Sequence, residues 1–337
     1  MSTVTLPPPA TNGKPRESFD LYAPIAGDLE ATERILHDSL SSNRPGVADL
    51  MGYLGNYRGK RLRPALLLLT ARACGQVNAS HHLLAAVVEM IHTATLVHDD
   101  VLDDATMRRH TPTVNASWGN QASILLGDYL FTHAFHLTST LGQARACQII
   151  GEATNRLCAG ELHQVCQRGN MELSEEDYFD IIDGKTAELT SCCCRLGALY
   201  SGMSDEVVER LARYGRYLGL AFQIADDLLD LVGEERAAGK SLGTDLEQRK
   251  LTLPLIRMLR QAPAEEASML RQLLTRPGNH KRELLAPRLD ASGALAYARG
   301  RAEQFADQAE KELACLPSSS CKTILQRITR QVVHRSS

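Results

Sequence analysis

The chain predicts an all-α fold, and three observations predict it. Apolar residues recur at helical spacing from about Tyr22 onward, as in Ile25, Leu29, Ile35 and Leu36. No stretch alternates apolar and polar residues for long enough to make a sheet strand. The connections are short and marked by Gly55, Gly75, Gly169 and Gly202, with no Pro-, Gly- or Ser-rich linker to divide the chain. One large helical bundle over residues 21–337 is therefore expected, behind a disordered leader over residues 1–20 that carries Pro7, Pro8, Pro9 and Pro15.

Taken in order, the periodicity predicts helices over 64–74, 81–104, 120–138 and 143–168. Ser174 followed three residues later by Asp177 predicts a capped start for a helix over 175–200. Further helices are expected over 205–232, 252–260, 264–274, 292–316 and 318–333.

Composition narrows the function. With 337 residues, 44% of them hydrophobic, the chain can bury a sizeable core. Lys+Arg of 37 against Asp+Glu of 40 leaves a formal charge of −3, so no global charge points to nucleic acid. The longest apolar stretch, 83–97, is broken by Glu89 and His92, which argues against a transmembrane helix. Nine cysteines, three of them in the run Cys192-Cys193-Cys194, form no paired metal-ligand spacing; they read as reduced core residues of a cytoplasmic protein.

The chemistry is concentrated in Asp99-Asp100-Val101-Leu102-Asp103 and its repeat, Asp226-Asp227-Leu228-Leu229-Asp230, each after an apolar segment. On a helix, the first and last Asp of each set stand one turn apart with the middle one beside them. Such carboxylates repel one another unless cations share the site, which points to Mg²⁺. A solvated acidic helix end is the plain alternative, and the repetition of the pattern weakens it.

Cations accompany both clusters. Gly59-Lys60-Arg61-Leu62-Arg63-Pro64 places three of them at a helix start, where anions are favoured. His92 lies seven residues before Asp99, nearly on the same face. Arg108 and Arg109 follow the first cluster. Lys185 and Thr186 form a further pair, Gln223 precedes Asp227 by one turn, and Lys240 and Lys250 follow the second cluster. Together they describe a site that holds a divalent metal between carboxylates and phosphate oxygens.

In this order and spacing, from about residue 22 to the C-terminus, the chain resembles the trans-type polyprenyl diphosphate synthases. The resemblance implies an all-helical bundle of the isoprenoid synthase type around a central apolar cavity. It implies that Asp99, Asp103, Asp226 and Asp230 bind Mg²⁺ directly or through water, supported by Asp100 and Asp227. It gives Lys60, Arg63, His92 and Arg109 to isopentenyl diphosphate, and Arg108, Lys185, Thr186, Gln223, Lys240 and Lys250 to an allylic diphosphate. Asp99, Asp103, Lys185, Asp226 and Lys240 are the residues it makes catalytic. The implied reaction ionises the allylic diphosphate and joins the resulting cation to the double bond of isopentenyl diphosphate; a homodimer is also implied.

A terpene cyclase is the first competitor, but its second metal motif resembles Asn-x-x-x-Ser/Thr-x-x-x-Glu, which Asp226 to Asp230 does not. A catalytically silent partner subunit is the second, and the presence of both acidic clusters argues against it. Product length is read from the residues before Asp99. Short-chain members of the family carry an aromatic four or five places earlier, where this chain has Thr95 and Ala94. Small residues leave space for a tail, so the expected product is longer than about twenty carbons, roughly thirty to fifty. The facing wall is expected from Ser123, Ile124 and Gly127.

Overall fold

The computed structural model describes residues 21–57, 59–109, 111–233, 243–276 and 281–334. The expected leader lies outside these residues. A 3₁₀ turn at Ala23–Ile25 leads into α1 (Ala26–Ser39), followed by α2 (Pro45–Tyr53), α3 (Leu62–Cys74) and α4 (Ala79–Leu102). A hairpin of two-residue strands pairs Arg108 with Thr111 and Met107 with Pro112, and is the only sheet among the described residues. Next come α5 (Val114–Trp118), α6 (Asn120–Ser139), α7 (Ala144–Cys166), α8 (Glu175–Ile182), a π turn at Asp183–Ala187, α9 (Glu188–Leu199) and α10 (Asp205–Val232). The chain finishes with α11 (Thr244–Glu247), α12 (Leu253–Gln261), α13 (Ala264–Thr275), α14 (Lys281–Ala291), α15 (Ala294–Glu312) and α16 (Ser320–His334).

The all-α expectation holds. The core is built on α3, whose Ala65 to Leu69 are all fully buried; each such leucine contributes roughly 1.5–3 kcal/mol. α3 lies against α4, α9 and α16; α10 lies between α9 and α15; α4 lies against α6. Two helices are positioned by their starts. The Asn78 side chain accepts from the Ser80 and His81 amides while His81 Nδ1 accepts from the Asn78 amide, opening α4. Ser174 and Asp177 form the reciprocal cap expected for α8.

Several boundaries differ. The helix expected over 81–104 ends at Leu102, so Asp103 is its C-cap and Asp104 takes a left-handed φ of 49°. The helix expected over 175–200 is interrupted by the π turn. α2 and α14 were not expected: the first is only nine residues long, and the second carries Pro287 inside it, which removes one helical hydrogen bond.

Candidate active site

The two acidic clusters sit at the C-terminal ends of α4 and α10, and neither helix has a basic residue in its last turn. A helix C-terminus carries about half an elementary negative charge, so carboxylates there add to an already unfavourable field. The compensating cations must come from elsewhere in the chain, and the structure brings them.

The hairpin delivers Arg108, whose Nε and Nη2 donate to Asp100 Oδ1 at 2.9 and 2.7 Å. Asp100 is buried. It is thus held by Arg108 rather than sharing the partly exposed direction of Asp99 and Asp103, as helix geometry alone implied. Arg168, just beyond α7, donates to Asp103 Oδ1 at 2.5 Å, and Lys250 Nζ reaches the same oxygen at 3.4 Å. On α10, Asp227 accepts from the Tyr178 hydroxyl at 2.6 Å and from Gln223 Nε2 at 2.8 Å. Asp230 accepts from the Thr244 hydroxyl at 3.0 Å and the Asp245 amide at 3.2 Å.

Two segments tie the clusters together. Residues 243–250 run from Asp230, which holds Thr244 and Asp245, to Asp103, which holds Lys250. The π turn does the same from the other side. Thr186 donates to Gln223 Oε1 at 2.7 Å, and Gln223 holds Asp227. Lys185 donates to Glu161 at 2.8 Å and to Gln164 at 3.0 Å, within the electrostatic reach of Asp99. The turn takes this shape because α7 crosses it backbone to backbone. A Cβ on Gly160 would stand 2.7 Å from the Lys185 nitrogen, and one on Gly184 would stand 2.8 Å from the Arg156 carbonyl oxygen. Single π turns inside helices commonly mark functional positions.

The electrostatics fit a divalent cation. Burial pushes the Asp99 carboxyl up; Lys185 pulls it down and Asp103 pushes it up again, with burial prevailing. No hydrogen bond from a described residue reaches the Asp99 carboxylate. Glu161 is raised for the same first reason, with Asp99 next. Asp227 is held well above the usual carboxylate range by burial and by Asp245, against the pull of Tyr178 and Gln223. Lys185 stays charged, because Asp99 and Glu161 outweigh the cost of its burial. Among the described residues, no three His, Cys, Asp or Glu side chains stand close enough to cage a metal on protein ligands alone. The carboxylates present suit a divalent cation that takes one or two of them and fills its shell with water and phosphate oxygens.

The basic element meets α4 two turns before Asp99, at His92. Arg63 Nη1 stands 3.1 Å from His92 Nε2. Arginine only donates, so His92 Nε2 accepts and its proton sits on Nδ1. Burial, followed by Arg63, Arg109 and Arg108, holds the imidazole well below its ordinary value and neutral. Arg63 Nε is buried without a hydrogen-bond partner among the described residues, a donor ready for an anionic ligand. Lys60 is exposed and lines an open cleft with Tyr22, Glu33 and Arg61. Arg109, at a left-handed φ of 51°, lays its guanidinium over Gly59, where a Cβ would come within 2.6 Å of Nη1. The guanidinium is the flexible partner in that contact. Gly59→Ala is therefore expected to keep the melting temperature within a degree or two and to raise the KM for the ligand of this pocket about tenfold, measured by steady-state kinetics; an unchanged KM would show that Arg109 does not act from this position.

The residues expected to shape a tunnel separate. Ala94 is fully buried in a second apolar cluster with Met51, Leu54, Val97, Val114, Leu126 and Leu130. Thr95 keeps accessible surface and donates to the His92 carbonyl at 2.7 Å. Two of the three expected wall residues are placed otherwise than expected: Ile124 is exposed, and the space beside Gly127 is filled by the His98 ring, which a Cβ would overlap. Ser123 is buried.

Of the candidates read from sequence, the structure gathers Asp99, Asp103, Lys185, Thr186, Gln223, Asp226, Asp227, Asp230 and Lys250 around one site, and Arg63, His92, Arg108 and Arg109 beside it. Lys240 lies outside the described residues. Glu33, Glu161, Gln164, Arg168 and Tyr178 went unread. Only Glu89 had left a signal, as an acid inside an apolar run.

A helical bundle in which two acidic helix ends are joined across a basic floor defines the isoprenoid synthase class. The polyprenyl synthetase family matches residues 44–286, and this chain belongs to that family. It is accordingly a prenyl-transferring enzyme. It is similar to the octaprenyl diphosphate synthase of Escherichia coli, 36% identical over 311 residues that cover 92% of this chain and 96% of that protein. Its fold is similar to the decaprenyl diphosphate synthase of Rhodobacter capsulatus, with a TM-score of 0.89, 36% identity and coverage of 94% and 98%. It is similar to a polyprenyl synthase of Caulobacter crescentus solved with calcium and isoprenyl diphosphate, with a TM-score of 0.89, 33% identity and coverage of 96% and 100%.

Proposed function

We propose that the chain condenses isopentenyl diphosphate with an allylic diphosphate, using Mg²⁺, to make an all-trans polyprenyl diphosphate longer than about twenty carbons. The observation that carries this reading is the double tie between the acidic helix ends, through 243–250 and through the π turn, beside the Arg63–His92 pocket. The names of the long-chain relatives and the calcium and isoprenyl diphosphate in the Caulobacter structure support it.

In this reading Asp99, Asp103 and Asp226 hold the metal, and Asp230 orders the 243–250 segment from a buried position. Bound Mg²⁺ would neutralise the leaving diphosphate as its C–O bond breaks. Lys185, Lys250, Arg108 and, by resemblance, Lys240 add positive charge where negative charge develops, while Thr186 and Gln223 fix the floor between them. Lys60, Arg63, His92 and Arg109 hold isopentenyl diphosphate so that its double bond faces the allylic carbon. The proton lost from the product passes to a diphosphate oxygen.

The test is incubation of purified protein with Mg²⁺, labelled isopentenyl diphosphate and allylic primers of several lengths, followed by sizing of the dephosphorylated products. Absence of any elongated product from every primer would overturn the reading. A homodimer is proposed on the apolar residues that α6 leaves exposed, Ile124, Leu125 and Tyr129. Sedimentation at micromolar concentration should give twice the 37.0 kDa chain mass; a monomer alone would contradict it. We place the enzyme in the cytoplasm, consistent with nine cysteines that form no disulfide; no helix among the described residues is long and apolar enough to cross a membrane.

A further inference from the structure

Arg61 sits between the two residues given to isopentenyl diphosphate, Lys60 and Arg63, yet its own guanidinium is committed elsewhere. Its Nε and Nη2 donate to the two Glu33 oxygens at 2.6 and 3.2 Å, and its Nη1 donates to Glu89 at 2.6 Å. All three nitrogens are engaged by protein carboxylates. Glu33 belongs to α1 and Glu89 to α4, so one side chain joins two helices to the start of α3.

Three further observations give this clamp a direction. Arg61 is the N-cap of α3 and takes a left-handed φ of 51°, a conformation that a side chain adopts only when its surroundings hold it there. Glu89 is 5% exposed within an apolar run, a position that a carboxylate keeps only when paired. Glu89 also precedes His92 by three residues on α4, and His92 meets Arg63. The turn is thus registered against α4 at two points, Arg61 on Glu89 and Arg63 on His92.

We propose that Arg61 is a positioning residue, which the Glu33–Glu89 clamp holds so that Lys60 and Arg63 present their charges to isopentenyl diphosphate. The inference rests on the reading of that pocket given above. It differs from a direct ligand role in sign. A guanidinium that bound the diphosphate itself would be set free by loss of either carboxylate, and affinity would rise; a guanidinium that positions its neighbours loses its hold, and affinity falls.

The experiment varies isopentenyl diphosphate at saturating primer, then primer at saturating isopentenyl diphosphate, for Glu89→Gln, Glu33→Gln, Arg61→Lys and the pocket variant Arg63→Gln, with melting curves for each. Glu89→Gln is expected to raise the KM for isopentenyl diphosphate about tenfold, with kcat and the primer KM within twofold of wild type. Arg61→Lys is expected to match it, because an ammonium cannot bridge both carboxylates as the planar fork does. Glu33 is the more exposed partner, so Glu33→Gln keeps the fold should Glu89→Gln lose it, and is expected to raise the same KM about threefold. A lower KM in either carboxylate variant, an unchanged KM in Glu33→Gln, or a parallel rise in both KM values with loss of melting temperature would overturn the clamp. Arg63→Gln separates the two readings: if it raises the KM while the clamp variants do not, the pocket stands and the clamp fails, and if it too has no effect, the pocket itself is wrongly placed.

Discussion

If Asp99 and Asp226 hold the metal as proposed, Asp99→Ala and Asp226→Ala are each expected to lower turnover about a thousandfold or more at saturating Mg²⁺, because charge stabilisation at the leaving diphosphate would then supply most of the rate. The expectation for stability runs the other way. The Asp99 carboxylate accepts no hydrogen bond from the described residues, and its charge is opposed by burial and by Asp103 at the negative end of α4. Removing it relieves repulsion, so the metal-free protein should melt no lower than wild type. Asp100→Ala provides the contrast, since it strands the Arg108 guanidinium beside a vacated buried site and should lower both activity and melting temperature. Turnover and thermal unfolding measured on the three variants check this together. Near-normal turnover in both Asp99→Ala and Asp226→Ala would remove the metal assignment.

The second large effect concerns product length. If the tail leaves Asp99 and Asp103 along α4, it meets Thr95 before it reaches Ala94. Thr95 retains accessible surface, whereas Ala94 is packed against Met51, Leu54, Leu126 and Leu130. Thr95→Phe should therefore shorten the product by several isoprene units with little loss of stability. Ala94→Phe should shorten it as well, but overpacking the second cluster costs about 1–3 kcal/mol. Chromatographic sizing of the products, paired with unfolding curves, distinguishes the two. An unchanged distribution in both variants means that the tail takes another path.

Much of this was legible in the sequence because it is written locally. Helical spacing, the repeated carboxylate pattern and the Ser174–Asp177 cap each span a few residues, and local propensity and charge are enough to read them. The partners were not legible, because they are set by tertiary packing. Glu33 reaches Arg61 across 28 residues, Glu161 reaches Lys185 across 24 and Tyr178 reaches Asp227 across 49. Nothing in the spacing of either partner announces the other. Periodicity also carried the acidic helix too far: Asp103 and Asp104 continue the pattern, but the backbone turns out of the helix at Leu102, and the hairpin that follows is too short to alternate. The free space inferred at Gly127 failed for a related reason, since a missing side chain says nothing about which neighbour fills the gap, and His98 does.

The crossing of α7 over the π turn bears on how the gene tolerates change. Gly160 carries no charge and belongs to neither acidic nor basic motif, yet a side chain there would meet the backbone at Lys185, which has no rotamer by which to retreat. In a saturation library scored for growth on the product, position 160 should be as intolerant of alanine as the aspartates are of substitution. Variation at this position is limited by the separation of two backbones, so selection on catalysis acts there through the shape of the chain and not through a side chain.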